Sequence, residues 1–194
     1  MFRRIALASG LLAVGAAAAV AQQPAPLTAA PSTRATATVT LNPPRGTPNA
    51  TPARIRIDYG QPHLRGRALH ADGLVPLDSI WRLGANEATA LETDVDLTIG
   101  NQTVPKGKYT LYALPTASGW SLIINRNTGQ WGTEYDAQHD LGRVSLTRRT
   151  LAVPIESFSM WLIPSTAPGS PRGELRLAWG QVELSTPWAL GPAR

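Results

Sequence analysis

The sequence contains no cysteine, which excludes disulfide bonds, thiolate metal sites, a cysteine nucleophile and a lipidated N-terminal cysteine. Charged residues make up only 16% of the 194 residues, whereas 43% are hydrophobic. A low charge content with this much apolar material predicts a folded body rather than extended disorder. The length allows one domain and leaves little room for a second.

Long basic runs and internal membrane spans are also missing. The formal net charge is +5, but the positive charges are scattered, with Arg148-Arg149 the densest pair. Proteins that follow a phosphate backbone carry clustered Lys and Arg, so the sequence predicts no nucleic-acid partner. Beyond residue 21 no segment is apolar and long enough to cross a bilayer.

The first 21 residues have the three parts of an export signal. The basic pair Arg3-Arg4 precedes an apolar run over residues 5–20, and Ala19-Val20-Ala21 gives a small-x-small cleavage site. Phe2 stands where a twin-arginine motif has Ser or Thr, which favours ordinary secretory export. We expect cleavage after Ala21 and a periplasmic or secreted protein; the alternative is an uncleaved anchor.

The mature chain begins with a Pro-, Ala- and Thr-rich stretch over residues 22–52. Such composition stays extended and has little to bury. It predicts a flexible leader, with one strand-like interruption at residues 35–41. The folded domain is expected over residues 53–190.

Period-two patterning dominates this domain, as in Ile55, Ile57 and Tyr59, which alternate with polar residues. The predicted strands cover residues 53–59, 95–99, 107–114, 120–125, 143–151, 158–163, 174–179 and 181–185. Gly180 indicates either a tight hairpin or a bulge between the last two strands. Residues 74–81 hold one or two helical turns at most. The pattern predicts an all-β fold, a single antiparallel jelly-roll-like β-sandwich of about eight strands with at most one short helix.

One unusual segment is residues 81–89, with the sequence WRLGANEAT. Arg82 offers a planar donor fork for a carboxylate or phosphate, and Asn86 and Glu87 can complete a polar site. The structural alternative is that Arg82 and Glu87 pair with each other or with the sheet and tie down a crossing loop.

A second unusual segment follows the turn signature Asn127-Thr128-Gly129. Gln130, Trp131 and Tyr135 come next, and the two aromatic rings suit an apolar platform on which a sugar stacks. The structural alternative places Trp131 in the core or beneath a long loop, because large aromatic residues are mostly buried.

These segments make the chain resemble the bacterial family known as domain of unknown function 2911. The resemblance rests on WRLGANEAT, on PKGKYTLYALP at residues 105–115 and on NTGQWG at residues 127–132, and it spans roughly residues 55–187. It implies an exported or periplasmic β-rich domain and assigns no reaction. Gln61 and His63 depart from the pattern of the relatives, which puts a ligand role for His63 in doubt.

The usual enzyme signatures are absent from the sequence. His63, His70 and His139 match no recognised metal-ligand spacing, so neither a metal site nor a cofactor is predicted. A nucleophile elbow, a P-loop and a dinucleotide fingerprint are all missing. We therefore assign no catalytic residue.

Three functional hypotheses remain. The leading one is a non-catalytic module that binds a small polar ligand, a sugar or a carboxylate. The second is a hydrolase-type enzyme with Glu87 as general base, and the third is a structural cell-envelope domain that packs against a partner. The sequence leaves the oligomeric state open. The residues of the predicted ligand-binding face are Arg82, Asn86, Glu87, Gln130, Trp131 and Tyr135.

Overall fold

The computed structural model describes residues 28–191, and the predicted signal peptide at residues 1–21 lies outside the described residues. In the described part the protein is all-β, as the sequence predicts, with one 3-10 helix at Ala137–His139. That part contains no helix with the length and apolarity needed to cross a membrane. The strands are β1 Thr33–Leu41, β2 Ala53–Gln61, β3 Thr89–Thr93, β4 Leu97–Ile99, β5 Gln102–Val104, β6 Gly107–Thr116, β7 Gly119–Asn125, β8 Asp140–Pro164 and β9 Arg172–Leu190.

All the strand pairs are antiparallel, and the strands form one open sheet in the order β1-β2-β3-β6-β7-β8-β9-β4-β5. The 25-residue β8 joins two ladders. Its N-terminal part pairs with β7, and most of its length pairs with β9. A single core cluster takes side chains from both ladders. The sandwich and jelly-roll descriptions stay predictions.

The alternation predicted from the sequence sorts β2 into two faces. Ile55, Ile57 and Tyr59 are buried, whereas Arg54 and Arg56 are exposed. In β4, Leu97 and Ile99 are buried in the same way. Burying one apolar row and leaving a polar row in water is what stabilises such strands.

Residues 74–81 form turns and bends rather than a helix. Trp81 pairs with Ala113 through two backbone hydrogen bonds, each 2.8 Å long, that tie the loop to β6. Val75 is fully buried, and its N–H donates to the carbonyl of Leu69 at 2.9 Å. The apolar residues of this segment therefore anchor an irregular loop to the core.

β1 lies N-terminal to Ala53, where composition places the start of the domain. All nine of its residues pair with β2, from Thr33 opposite Gln61 to Leu41 opposite Ala53. Ala37 and Val39 are buried, which gives the strand a shallow apolar face. The sheet therefore begins within the Pro-, Ala- and Thr-rich stretch.

An ion-pair network joins β1 to β2. The guanidinium of Arg34 donates to the carboxylate of Asp58, and Arg56 and Thr36 donate to the other carboxylate oxygen at 2.7 Å and 3.1 Å. Partial burial raises the pKa of Asp58, but the hydrogen bonds and charges of these partners outweigh it, and the pKa lies below its ordinary value of 3.8. The ionised carboxylate therefore stabilises the β1–β2 pair.

This network predicts a pH-dependent stability. A folded-state pKa below the unfolded one adds stability at neutral pH, which is lost as the pH falls from 3.8 through the folded-state pKa. Asp58→Asn should therefore be less stable than the parent at neutral pH, and urea titrations should show this difference shrinking towards about pH 2. Asp78→Asn, in an exposed loop, is the control. A difference that does not change with pH contradicts the prediction.

The centre of the core is an aromatic cluster of Tyr59, Trp81, Trp120, Phe158 and Trp179. Trp81 stacks on Trp179 with ring centroids 5.9 Å apart and meets Phe158 edge-on at 5.1 Å. Phe158 also meets Tyr59 edge-on at 5.5 Å. These contacts connect β2, β7, β8 and β9 to the loop that begins at Trp81.

Candidate functional site

The first loop of the candidate site covers residues 82–88 and lies directly on β2. Its backbone is left-handed at Leu83 (φ 51°) and Asn86 (φ 64°), a conformation that non-glycine residues rarely adopt. The side chain of Leu83 is fully buried, and the hydroxyl of Thr89 donates to its carbonyl at 2.7 Å. Burial and this hydrogen bond hold the loop in a strained path that directs its polar residues outwards.

The second loop, residues 126–136, packs against the first. Glu87 and Trp131 form an isolated antiparallel bridge, and the N–H of Gly132 donates to the carbonyl of Asn86 at 3.1 Å. A Cβ on Gly132 would lie 2.5 Å from the backbone carbonyl oxygen of Asn86 and 2.7 Å from Cδ of Arg82, so glycine allows the two loops to approach this closely. The two polar segments singled out by the sequence therefore meet, and we call their joint surface the candidate face.

Gln130 is held beneath this surface by two hydroxyl groups. Its side-chain amide donates to Thr110 Oγ1 at 3.2 Å and to the Tyr112 hydroxyl at 3.0 Å. Each hydroxyl donates its own proton to a backbone carbonyl: Thr110 to that of Asn127, and Tyr112 to that of Glu134. The amide orientation is therefore determined, and Gln130 Oε1 is left buried without a hydrogen-bond partner among the described residues.

Tyr135 lies to one side of the candidate face and is tied to the sheet. Its hydroxyl donates to Asp140 Oδ2 at 2.7 Å and accepts from Arg143 Nη2 at 2.9 Å. Burial, followed by the hydrogen bond to Asp140, raises the pKa of Tyr135 above its ordinary value of 10.0. Its ring packs edge-on against Tyr112, 5.0 Å away. Tyr135 therefore supports Tyr112 and, through it, Gln130.

The charged residues of the first loop do not pair with each other. Arg34 of β1 donates to the carbonyl of Glu87 at 3.2 Å and lies 3.7 Å from its carboxylate. The Glu87 side chain is 63% exposed, so it lies neither in a closed cleft nor in a buried ion pair. Across residues 28–191 no acidic side chain forms an ion pair with Arg82.

The remaining two residues of the prediction differ in exposure. Trp131 is 47% exposed, which contradicts the alternative that places it in the core. The side chain of Asn86 is half-buried and donates to the carbonyl of Ser32 at 3.4 Å. The face thus presents an uncovered indole, an unpaired guanidinium and an exposed carboxylate.

Sequence reasoning missed three residues that support the face, namely Arg34, Thr110 and Tyr112. Arg34 lies in the predicted leader, one residue before the strand-like interruption predicted at residues 35–41, and the composition of the leader did not show that this strand joins the sheet. Thr110 and Tyr112 lie in β6 beside Tyr109 and Leu111, and all four are buried. A run of buried residues gives no alternation to reveal which hydroxyl groups point towards Gln130.

The histidines hydrogen-bond to residues other than the six of the predicted ligand-binding face. His63 shares a hydrogen bond of 2.8 Å with the Ser157 hydroxyl, and His139 lies 3.0 Å from Asp136. The described residues include no group of three His, Asp or Glu side chains placed to hold a metal ion.

The fold and the face define a class of protein: an all-β domain with an open antiparallel sheet and a polar-aromatic surface built by two loops. Residues 45–188 match the family model described as Protein of unknown function (DUF2911), and the chain belongs to that family. No curated protein and no solved structure matches the chain.

Proposed function

We propose that the protein is an exported module that binds a small polar ligand, a sugar or a carboxylate, on the candidate face. The observation that carries this proposal is the pairing of loops that presents the exposed Trp131 in the same surface as Arg82, whose guanidinium has no acidic partner within residues 28–191. Binding sites combine an apolar surface with a few placed polar groups in this way.

Each residue of the face has a distinct part in the proposal. Arg82 donates to an acidic or hydroxyl oxygen of the ligand, and the indole of Trp131 supplies the apolar floor. Asn86 and Glu87 orient the ligand from the rim. The unpartnered Oε1 of Gln130 offers an acceptor for a ligand hydroxyl if the loop opens, because an unsatisfied buried oxygen costs about 1–3 kcal/mol. Tyr135 acts indirectly, by holding Tyr112.

The exposed position of Glu87 favours binding over hydrolysis. A general base works best when its environment brings its pKa close to the operating pH. The Glu87 carboxylate faces solvent and lies 3.7 Å from Arg34, an arrangement typical of a surface ion pair.

Export is supported by the pattern of the first 21 residues, with a basic pair, an apolar run and a small-x-small site. N-terminal sequencing of the protein recovered outside the cytoplasm should begin at Gln22. Recovery in the cytoplasm alone, with residues 1–21 retained, would contradict this part of the proposal.

Ligand binding is expected to depend on Arg82 and Trp131. In a thermal-shift screen of the mature chain with monosaccharides and small carboxylates, Arg82→Ala and Trp131→Ala should each weaken the strongest hit by about tenfold or more, as expected for loss of a charged hydrogen bond or a stacked ring. Both residues lie at the surface, so the variants should keep most of the parent stability.

Matched controls separate this effect from a general change of surface. Arg45→Ala removes an exposed loop charge, and Trp161→Ala removes an indole that is 40% exposed on β8. Both should bind as the parent does. The proposal fails if every ligand found by the screen binds the Arg82 and Trp131 variants as tightly as it binds the parent.

A further inference from the structure

The ladder between β8 and β9 has two register shifts, one between Thr150 and Ile155 and one between Ile155 and Ser159. At the first of these breaks, Thr150 pairs with Val182 and Ile155 pairs with Gly180, so residues 151–154 of β8 stand opposite the single residue Gln181. We call residues 151–154 the β8 bulge. Gly180 has a φ of 57°, the left-handed conformation that glycine adopts without strain. Irregularities of this kind change the direction in which side chains point, and they are common beside functional sites.

A cavity of about 450 Å³ lies at this break. Thr150 and Pro154 line it from β8, Gln181 and Val182 line it from β9, and residues 64–71 form the opposite wall. Its volume is within the range of about 300–1,000 Å³ found for small-molecule sites. The cavity shares no lining residue with the candidate face.

The polar rim of this cavity is cationic. Arg67 and Arg148 both line it, and no aspartate or glutamate does. Arg67 donates to the carbonyls of Leu64 and His63 at 3.0 Å and 3.1 Å, which holds its guanidinium in place. Neither arginine forms an ion pair with any residue in the described range 28–191.

Acidic groups near these segments are occupied elsewhere. Asp72 accepts from the N–H of Ala68 at 2.6 Å, and Glu156 accepts from the N–H of Arg65 at 2.7 Å. Neither carboxylate lines the cavity. Two arginines line this cavity and no acidic residue does. They favour a bound anion, because both positive charges attract it.

Two apolar residues of the cavity lining also contribute to the core side of the protein. Leu69 and Val182 line both this cavity and a narrow apolar gap beside Trp81 and Trp179 of the aromatic cluster. Next to the lining residue Pro154, the β8 bulge exposes 74% of Val153 to solvent. The apolar lining residues Leu64, Leu69 and Val182 fit an alkyl chain, because contact with them removes its surface from water.

His70 connects the rim to the aromatic cluster. Its Nδ1 lies 2.7 Å from the carbonyl of Val75, and because a carbonyl only accepts, Nδ1 carries the proton. Its ring packs against Trp120 with centroids 5.8 Å apart. These contacts hold residues 64–71 against the core and keep Arg67 at the rim.

We propose that this cavity binds an anionic amphiphile, a molecule with one acidic head group and an alkyl chain. Arg67 and Arg148 hold the head group, and the chain lies along Leu69 and Val182 towards the aromatic cluster. This inference concerns a second site and does not rest on ligand binding at the candidate face.

The test is calorimetric titration of the mature protein with octanoate and octyl phosphate below their micelle concentrations, which distinguishes a carboxylate from a phosphate head. At least one should bind, whereas acetate and octanol, each lacking one half of the molecule, should bind at least tenfold more weakly. The single variant Arg148→Gln and the double variant that combines Arg148→Gln with Arg67→Gln should each lower the affinity for the bound amphiphile about tenfold or more. The side chain of Arg148 makes no hydrogen bond or ion pair within residues 28–191, so its substitution keeps the test free of folding effects.

Two controls identify the site. The double variant Arg45→Gln with Arg54→Gln removes the same net charge from residues outside the cavity and should bind as the parent does. Arg82→Ala and Trp131→Ala should also leave octanoate binding unchanged, even if they abolish binding at the candidate face. The proposal is overturned if neither amphiphile binds, if octanol binds as tightly as octanoate, or if Arg148→Gln has no effect.

Discussion

Replacing Phe158 with alanine is expected to lower the free energy of unfolding by about 3–5 kcal/mol, the cost of deleting a large buried ring. Phe158 is fully buried and meets Tyr59, Trp81 and Trp179 edge-on. Aromatic pairs in this geometry contribute about 0.5–1.5 kcal/mol beyond the area that they bury. The expected loss of unfolding free energy is therefore at the upper end of the range for core substitutions.

The ring of Phe158 lies where β2 and β9 meet, and alanine would remove this ring while keeping the backbone hydrogen bonds of residue 158. Its N–H donates to the carbonyl of Pro62 at 2.9 Å, and its carbonyl accepts from the side chain of Gln61 at 3.0 Å. These bonds hold β8 against the end of β2, and the ring fills the space between them. The cavity left by alanine would be surrounded by rigid indoles, which cannot collapse into it easily.

Urea titration gives the measurement, with an unchanged slope and a lower midpoint as the signature of lost stability. The control is Trp161→Ala on the same strand, where a larger ring is removed from a position that is 40% exposed. Trp161→Ala should cost much less than Phe158→Ala. If the two variants lose the same stability, the aromatic cluster is not the centre of the core.

Gly60→Ala is expected to destabilise the protein by about 1–3 kcal/mol or more, the usual cost of overpacking. A Cβ at position 60 would overlap the carbonyl oxygen of Ala85 and lie 2.7 Å from its carbonyl carbon. A Cβ at Gly84 would in turn lie 2.8 Å from the carbonyl oxygen of Gly60. The backbone of the first loop thus lies directly on the backbone of β2, and an added methyl group forces them apart.

The substitution tests the candidate face as well as the fold. If the first loop moves away from β2, the contacts of Arg82 and Asn86 with Gly132 change, and ligand binding at that face should weaken as in Trp131→Ala. The matched control is Gly119→Ala in the β6–β7 hairpin, where a Cβ meets nothing within 4 Å. It should change stability by no more than about 0.5 kcal/mol. Equal losses for both variants would show that glycine flexibility, and not the close contact at Gly60, sets the cost.

Local sequence patterns predicted the middle of the sheet well. The segments 53–59, 107–114 and 120–125 lie within β2, β6 and β7. The β2 prediction succeeds because a half-buried strand carries its own two-residue period. The β6 and β7 predictions succeed because short apolar runs bounded by turn residues indicate strands.

Longer-range features were predicted less well. Four predicted segments, at residues 143–151, 158–163, 174–179 and 181–185, fuse into the two long strands β8 and β9, and Gly180 marks an irregularity inside β9 rather than a hairpin. The strands β3 and β5 were missed because three to five residues are too few to establish a period.

For the candidate face, the sequence identified two unusual loops but could not show that they touch. Their contact depends on the Glu87–Trp131 bridge and on the Gly132 approach to Arg82. Arg34 and Tyr112 come from strands remote in sequence, and only the sheet brings them to Glu87 and Gln130.

The sequence by itself determined the all-β character, the absence of disulfides and the alternation of its strands, because these follow from local composition and period. Only the tertiary structure decided that β1 joins the sheet, that Arg82 has no acidic partner within residues 28–191, and that a cationic cavity opens between β8 and β9. Such facts depend on contacts between residues far apart in the chain, which carry no local signal.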